Sequence, residues 1–337
     1  MAQHQGAYIF GCSGLRLTPK EAAFFAEANP WGFILFARNI DSPDQLRRLT
    51  DDLRSAVGRN AVITIDQEGG RVERLTPPHW RHWLPPLDQV AQNPDAAVRS
   101  MYLRSRLIAD ELYGVGIDSN CAPCADVATP QTHPVLRNRC YGQDAKTVAA
   151  VGRAVAEGLL DGGVLPVLKH IPGHGRATLD SHTELPHVHA RSADLKVSDF
   201  AAMRALNDLP LGMSAHIVFD DIDPNSPATT SPVMAQLIRE EIGFDGLLMT
   251  DDLSMQALDG DMRQRTRNSL AAGMDMILHC NGELDEMAQI VEQAGSFTNT
   301  AQKRADAALN RRKSPDNIDI PAYEAELAGL INGPEND

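Results

Sequence analysis

Eight short apolar stretches, each followed by a segment of helical periodicity, constrain this 337-residue chain more than any other feature. They span residues 7–11, 32–37, 61–66, 117–126, 164–170, 211–219, 246–251 and 274–280. Their apolar residues run on without the polar alternation of a sheet with one wet face, so the strands are expected to be buried on both faces, as in a parallel sheet. Parallel neighbours need crossover connections, and the intervening helices can supply them. Several of these helices carry end signals. Ser42-Pro43-Asp44-Gln45 reads as an N-cap, a first-turn proline and a capping-box partner ahead of a helix over 45–57. Val98, Met101, Ile108 and Leu112 recur at helical spacing over 96–112, and Val148, Val151, Val155 and Leu159 form one stripe over 146–160. Ser231-Pro232 opens a further helix that stops at Gly243.

Eight strand–helix alternations are the count of an α/β fold of the (β/α)8 TIM-barrel type. The competing architecture, an open doubly wound sheet, would carry a glycine-rich phosphate fingerprint after the first strand, and none follows residue 11. The length allows two domains, but eight strands completed by Cys280 leave room for one barrel. The expected organisation is therefore a catalytic barrel with covering C-terminal helices over 1–313, and a peripheral C-terminal tail over 314–337. Charge excludes one class of partner: 31 basic against 45 acidic residues leave −14, the wrong sign for nucleic acid. The N-terminus lacks a basic, then apolar, signal region, and no apolar run reaches the ~18–20 residues of a membrane span. Five cysteines, an odd number spread along the chain, fit a reducing compartment. A cytoplasmic protein without membrane contact is expected. Cys121 and Cys124, with no second pair to complete a zinc set, are expected as buried thiols on strand four.

In such a barrel the reacting groups sit at the C-terminal ends of the strands. Polar residues collect there: Asp66-Gln67-Glu68-Gly69-Gly70-Arg71 after strand three, Asp126 after strand four, Lys169-His170 after strand five, His216 on strand six and Thr250-Asp251-Asp252 after strand seven. Charged groups at this many strand ends predict a polar cleft. The segment after strand five holds five of the eleven histidines between positions 170 and 189, with glycines and a proline that fit a mobile active-site loop. His170, His174 and His182 could ligate a metal, but they lack the H-E-x-x-H spacing, so no metal or other cofactor is expected. Asp180 and His182, two apart, can form a pair in which the carboxylate orients the imidazole as a general acid/base, or they can be an incidental ion pair. Asp251-Asp252 could hold a cation, cap a helix or supply a nucleophile. Lys169 admits a Schiff-base reading, which its histidine and carboxylate neighbours disfavour.

Three separated motifs, Ile65-Asp66-Gln67-Glu68-Gly69-Gly70-Arg71-Val72, Lys169-His170-Ile171-Pro172-Gly173-His174-Gly175 with Asp180-Ser181-His182, and Thr250-Asp251-Asp252-Leu253-Ser254-Met255, together resemble family 3 glycoside hydrolases. Within that family the chain is similar to single-domain bacterial β-N-acetylglucosaminidases of peptidoglycan recycling. The resemblance implies that Asp251 is the nucleophile of a retaining reaction, that His182 is the acid/base and that Asp180 is its partner. It also implies that Asp66, Arg74, Arg139, Lys169 and His170 bind the sugar, with Arg137 as the competing counterpart of Arg139. The implied substrate is a muropeptide carrying terminal N-acetylglucosamine, handled by a monomer. Two alternatives stand beside it: the same site acting on another β-glycoside or passing the sugar to phosphate, and a sugar-binding barrel without turnover. Thr250 stands where relatives carry serine, and Ile171 where phenylalanine is common.

Overall fold

The computed structural model describes residues 5–181 and 183–332. Eight strands form a closed barrel: β1 Gly6–Gly11, β2 Pro30–Leu35, β3 Val62–Ile65, β4 Ser119–Asn120, β5 Leu165–Ile171, β6 Leu211–Ser214, β7 Leu247–Asp252 and β8 Met276–His279. Each is hydrogen-bonded in parallel to its sequence neighbours in the barrel, and β8 closes on β1 through Tyr8–Ile277 and Phe10–His279 registers. The single (β/α)8 barrel expected from the eight apolar stretches is the observed fold.

The two-residue period of a strand sorts the apolar side chains into two cores. One faces the barrel axis and holds Ile9, Ile34, Val62, Leu165, Val167, Leu211, Met213, Leu247, Met249, Met276 and Leu278. The other lies between strands and helices and takes the alternate residues Tyr8, Phe10, Phe33, Ile63, Leu168, Leu248 and Ile277. Helix Pro43–Ala56 presents Leu46, Leu49 and Leu53 to this outer core, and helix Ala145–Asp161 presents Val148, Val151, Val155 and Leu159. Burying such a side chain contributes ~1.5–3 kcal/mol against conformational entropy, so the continuous inner and outer layers hold the barrel.

Local differences from the sequence expectation have physical causes. Strand four was expected over 117–126, yet its regular ladder ends at Asn120. Pro123 has no N–H to donate, and the chain runs on through single bonds such as Ala125 N to Lys169 O at 2.8 Å and Lys169 N to Pro123 O at 3.0 Å. The stretch 211–219 is not one strand: β6 stops at Ser214, and Val218–Phe219 pairs in parallel with His187–Val188 in a small side sheet. Ser42 caps its helix as expected, but Gln45 reaches Asp41 N at 2.9 Å instead of completing a capping box. Val98, placed on the buried stripe, is 48% exposed. Gly243 ends the helical segment opened by Pro232 in the left-handed region at φ 76°, where a Cβ is strained.

Helix Asn299–Leu309 closes the N-terminal end of the barrel. Ala305 and Ala308 join the inner core, and Arg304 bonds Asp275 at 3.0 Å just ahead of β8. Within the segment expected as a tail, helix Ile320–Asn332 lies against helix Ala97–Tyr113, buries Leu327 and places Leu330 O within 2.9 Å of Asn93 Nδ2. Among the described residues, no helix is long and apolar enough to cross a membrane. The five cysteines are free and buried, Cys121 and Cys124 included.

Candidate active site

The inward alternation of β3, β5 and β7 carries on past its apolar layers and delivers three charged side chains. Val62 and Thr64 lead to Asp66, Leu165 and Val167 to Lys169, and Leu247 and Met249 to Asp251. Alternate strands of a barrel contribute to the same layer, so these three meet at the C-terminal mouth. They line a cavity of about 260 Å³ together with Arg74, Arg139, His170, His174, Asp180 and Ser181, and with apolar walls from Phe36, Met213, Met255 and Leu278.

A buried ion network occupies the floor. Lys169 Nζ lies 2.6 Å from Glu68 Oε1 and 3.0 Å from Asp66 Oδ1. Arg139 holds Glu68 through two parallel bonds of 2.8 Å, and Arg74 Nη2 reaches Asp66 Oδ2 at 3.2 Å. Gly69 and Gly70, at φ 102° and 60°, turn the chain back after Glu68, which lets Arg74 return toward Asp66. Burial alone would raise both carboxyls. The charges of Lys169 and Arg74 hold Asp66 well below the usual carboxylate range, and those of Arg139 and Lys169 bring Glu68 down to about 2. Burial likewise opposes charge on Lys169, but Asp66 and Glu68 outweigh it and raise its ammonium above the ordinary range. A lysine kept charged is no Schiff-base nucleophile, which removes the aldolase reading.

His170 is set by a second group. Its Nδ1 lies 2.7 Å from Asp126 Oδ2, so the proton is assigned there and Nε2 is left toward Arg139 Nη2 at 3.5 Å. Asp126 also accepts the backbone N–H of His174 at 2.6 Å and the thiol of Cys124 at 3.2 Å. The atoms of Cys124, Asp126 and His170 lie within 4.8 Å of one another, the one such grouping of potential metal ligands among the described residues. These atoms bond one another, and the arrangement fixes His170.

The two carboxylates of Asp251-Asp252 divide their tasks. Asp252 Oδ1 accepts the N–H groups of Ser254 and Cys280, both at 3.1 Å, which makes it a clamp between the ends of β7 and β8. Among the described residues, the Asp251 side chain accepts Asp252 N at 2.8 Å and faces the cavity. Burial would raise its carboxyl, but His170, His216, the Asp252 N–H and Lys169 lower it below the ordinary range. It is an ionised carboxylate at neutral pH. His216 is buried, bonds Thr229 Oγ1 at 2.8 Å and Asp252 O at 3.0 Å, and therefore supports the Asp251 segment from behind.

Of the residues singled out from the sequence, Asp66, Arg74, Arg139, Lys169, His170, Asp180 and Asp251 are brought to one cavity. His182 lies outside the described residues. Arg139, not Arg137, lies in the cavity wall; Arg137 bonds Pro130 O at 3.2 Å. Sequence reasoning passed over Glu68 and Asp126 as site residues. Glu68 follows Asp66 by two positions, and Asp126 ends strand four, so the inward period and the strand-end position were the available signals.

A model of the glycosyl hydrolase family 3 N-terminal domain matches residues 15–313. The β-hexosaminidase of Nitrosomonas eutropha is 32% identical over 307 residues, covering 88% of this chain and 87% of that one. The β-hexosaminidase of Alkalilimnicola ehrlichii is 36% identical over 284 residues, with 82% and 81% covered. Among solved structures, NagZ from Neisseria gonorrhoeae in complex with N-trifluoroacetyl-D-glucosamine superposes with a TM-score of 0.87 at 29% identity, over 97% of this chain and 98% of that one.

Proposed function

The chain belongs to glycoside hydrolase family 3 as a β-N-acetylhexosaminidase, and from that premise we propose that it removes terminal, non-reducing β-linked N-acetylglucosamine from GlcNAc-anhydroMurNAc peptides by a retaining, exo-acting mechanism. It does so as a cytoplasmic monomer. Asp66, Arg74, Arg139, Lys169 and His170 hold the sugar ring. Lys169 and Arg139 donate to its hydroxyls while Asp66 accepts from them, and Glu68 keeps both cations charged and in place.

In the first step an Asp251 carboxylate oxygen attacks the anomeric carbon as the glycosidic C–O bond breaks, and His182 gives its proton to the departing oxygen. Asp180 stabilises the imidazolium before transfer and orients the ring. In the second step His182 takes a proton from water, whose oxygen attacks the same carbon and releases Asp251. Two inversions return the β configuration. An imidazole in the role of acid needs to sit near the leaving oxygen only while sugar is bound, so a loop is a workable carrier for it.

The observation that carries this reading is the ionised Asp251 carboxylate at the floor of a cavity that also has Asp180 in its wall. The test is hydrolysis of a chromogenic β-N-acetylglucosaminide, run beside the corresponding glucoside and xyloside, with the first-formed product followed by proton NMR. The β-anomer of free N-acetylglucosamine is expected before mutarotation. A first-formed α-anomer would refute the retaining mechanism, and faster turnover of the glucoside would refute the sugar assignment.

A further inference from the structure

The loop that carries Asp180 is exposed at its tip, with one exception. Among the described positions from 178 to 185, Thr178, Leu179, Thr183 and Glu184 face solvent, Asp180 and Leu185 are half-buried, and Ser181 alone is buried, at 4% exposure. A serine contributes little apolar surface, so its burial needs a polar reason. That reason is His174, a residue itself only 7% exposed, whose Nε2 lies 3.1 Å from Ser181 Oγ. His174 is fixed in turn. Its backbone N–H donates to Asp126 Oδ1, Asp126 Oδ2 holds His170 Nδ1, and the His170 and His174 rings meet edge-on with centroids 5.4 Å apart.

The base of the loop is secured separately, by His133 N to Ala177 O at 3.1 Å and by Arg176 Nε to Asp199 Oδ2 at 2.7 Å. Those contacts lie at residues 176 and 177, and beyond them the Ser181–His174 bond ties the segment next to Asp180 back to the barrel. Resting on the reading of Asp180 and His182 as the acid/base pair, we propose that the Ser181–His174 hydrogen bond is a latch that ties the segment carrying Asp180 to the Asp126–His170 clamp of the sugar ring, making Ser181 and His174 positioning residues for protonation of the leaving group. Burial and the neighbouring His170 push the His174 imidazole down to about 4, so it is neutral at pH 7 and exchanges a single hydrogen bond with the hydroxyl. Its Nδ1 has no hydrogen-bond partner among the described residues, so Ser181 is the bond that sets the ring's orientation.

The latch predicts a signature that simple loosening of the fold would not produce. Protonation matters for a basic leaving group and hardly at all for an acidic one, and kcat/KM reports the step in which that bond breaks. The full chain and its Ser181→Ala variant are compared on aryl β-N-acetylglucosaminides of graded leaving-group acidity, from 2,4-dinitrophenyl to phenyl. Positioned general acids are worth roughly 100-fold or more, so partial misplacement is expected to lower kcat/KM ~10–50-fold for phenyl and by less than about threefold for dinitrophenyl. His174→Gln, which breaks the bond from the other side, should reproduce the pattern, and Ser181→Thr, which keeps the hydroxyl, should recover most of it. Equal losses on both substrates, or none on either, overturn the latch. Asp180→Asn keeps the two readings apart. If this variant shows no leaving-group dependence the acid/base assignment fails, and if it shows it while Ser181→Ala does not, the latch alone fails.

Discussion

Glu68→Gln is the substitution whose consequence follows most directly from the structure. The change keeps size and shape but removes the charge that faces Lys169 at 2.6 Å and Arg139 at 2.8 Å, and all three side chains are nearly or largely withdrawn from solvent. Lys169 retains Asp66, whereas Arg139 loses the carboxylate it grips with both nitrogens. Breaking a buried pair from one side costs about 3–5 kcal/mol because a desolvated charge is left behind. Titration leads to a similar magnitude. A carboxyl that folding lowers from 4.5 to about 2 contributes ~3 kcal/mol above its unfolded value. Because the folded value is the lower one, this contribution is fully present above about pH 5 and fades as the pH falls toward 2. For a chain of 337 residues, at about 2.1 cal/mol/K of unfolding entropy per residue, ~3 kcal/mol corresponds to a fall in Tm of roughly 4–5 °C.

The assay is thermal unfolding of both proteins at intervals from pH 7 down to the lowest pH at which they fold reversibly. The gap is expected to be widest at pH 6–7 and to narrow below pH 5. A Tm within 1 °C of wild type at pH 7, or a gap that does not change with pH, would refute the reasoning that Glu68 is ionised and holds two buried cations. Activity should fall as well, because Arg139 and Lys169 lose their common anchor.

Asp126→Asn should lower kcat/KM on an aryl N-acetylglucosaminide roughly 10- to 100-fold. The amide can no longer accept from both His170 Nδ1 and His174 N as a carboxylate does; a loss below about threefold counts against the clamp. Sodium borohydride added during turnover should leave activity intact, since Lys169 stays charged and forms no imine. Irreversible loss with reduction at Lys169 would contradict the charge state derived for it.

Much of this site was legible in the sequence because a barrel strand is a ruler of period two. Counting inward from Leu247 and Met249 reaches Asp251 and not Asp252, and counting from Leu165 and Val167 reaches Lys169 and not His170. His170 nonetheless joins the cavity through its own partner, Asp126. The irregular parts were hidden for equally physical reasons. Pro123 shortens the ladder of strand four without ending its course, and the chain leaves the barrel after Ser214 to pair Val218–Phe219 with His187–Val188, a contact between residues 31 apart in sequence. Arg137 and Arg139 cannot be ranked by spacing. The folded chain ranks them, since Arg139 bonds both oxygens of Glu68 at 2.8 Å while Arg137 turns to Pro130 O at 3.2 Å. Glu68 itself reads as part of a motif until Lys169 and Arg139 are seen to converge on it.

The proposed mechanism requires that Asp251 becomes covalently bonded to the sugar. A 5-fluoro N-acetylglucosaminyl fluoride should form the glycosyl-enzyme faster than water removes it, and proteolysis with mass spectrometry then locates the adduct. One sugar per chain is expected on the peptide containing Asp251, with fragmentation placing it on that carboxyl and no label in Asp251→Ala. Label on Asp252 or Asp66, or full turnover of the reagent by Asp251→Ala, would contradict it.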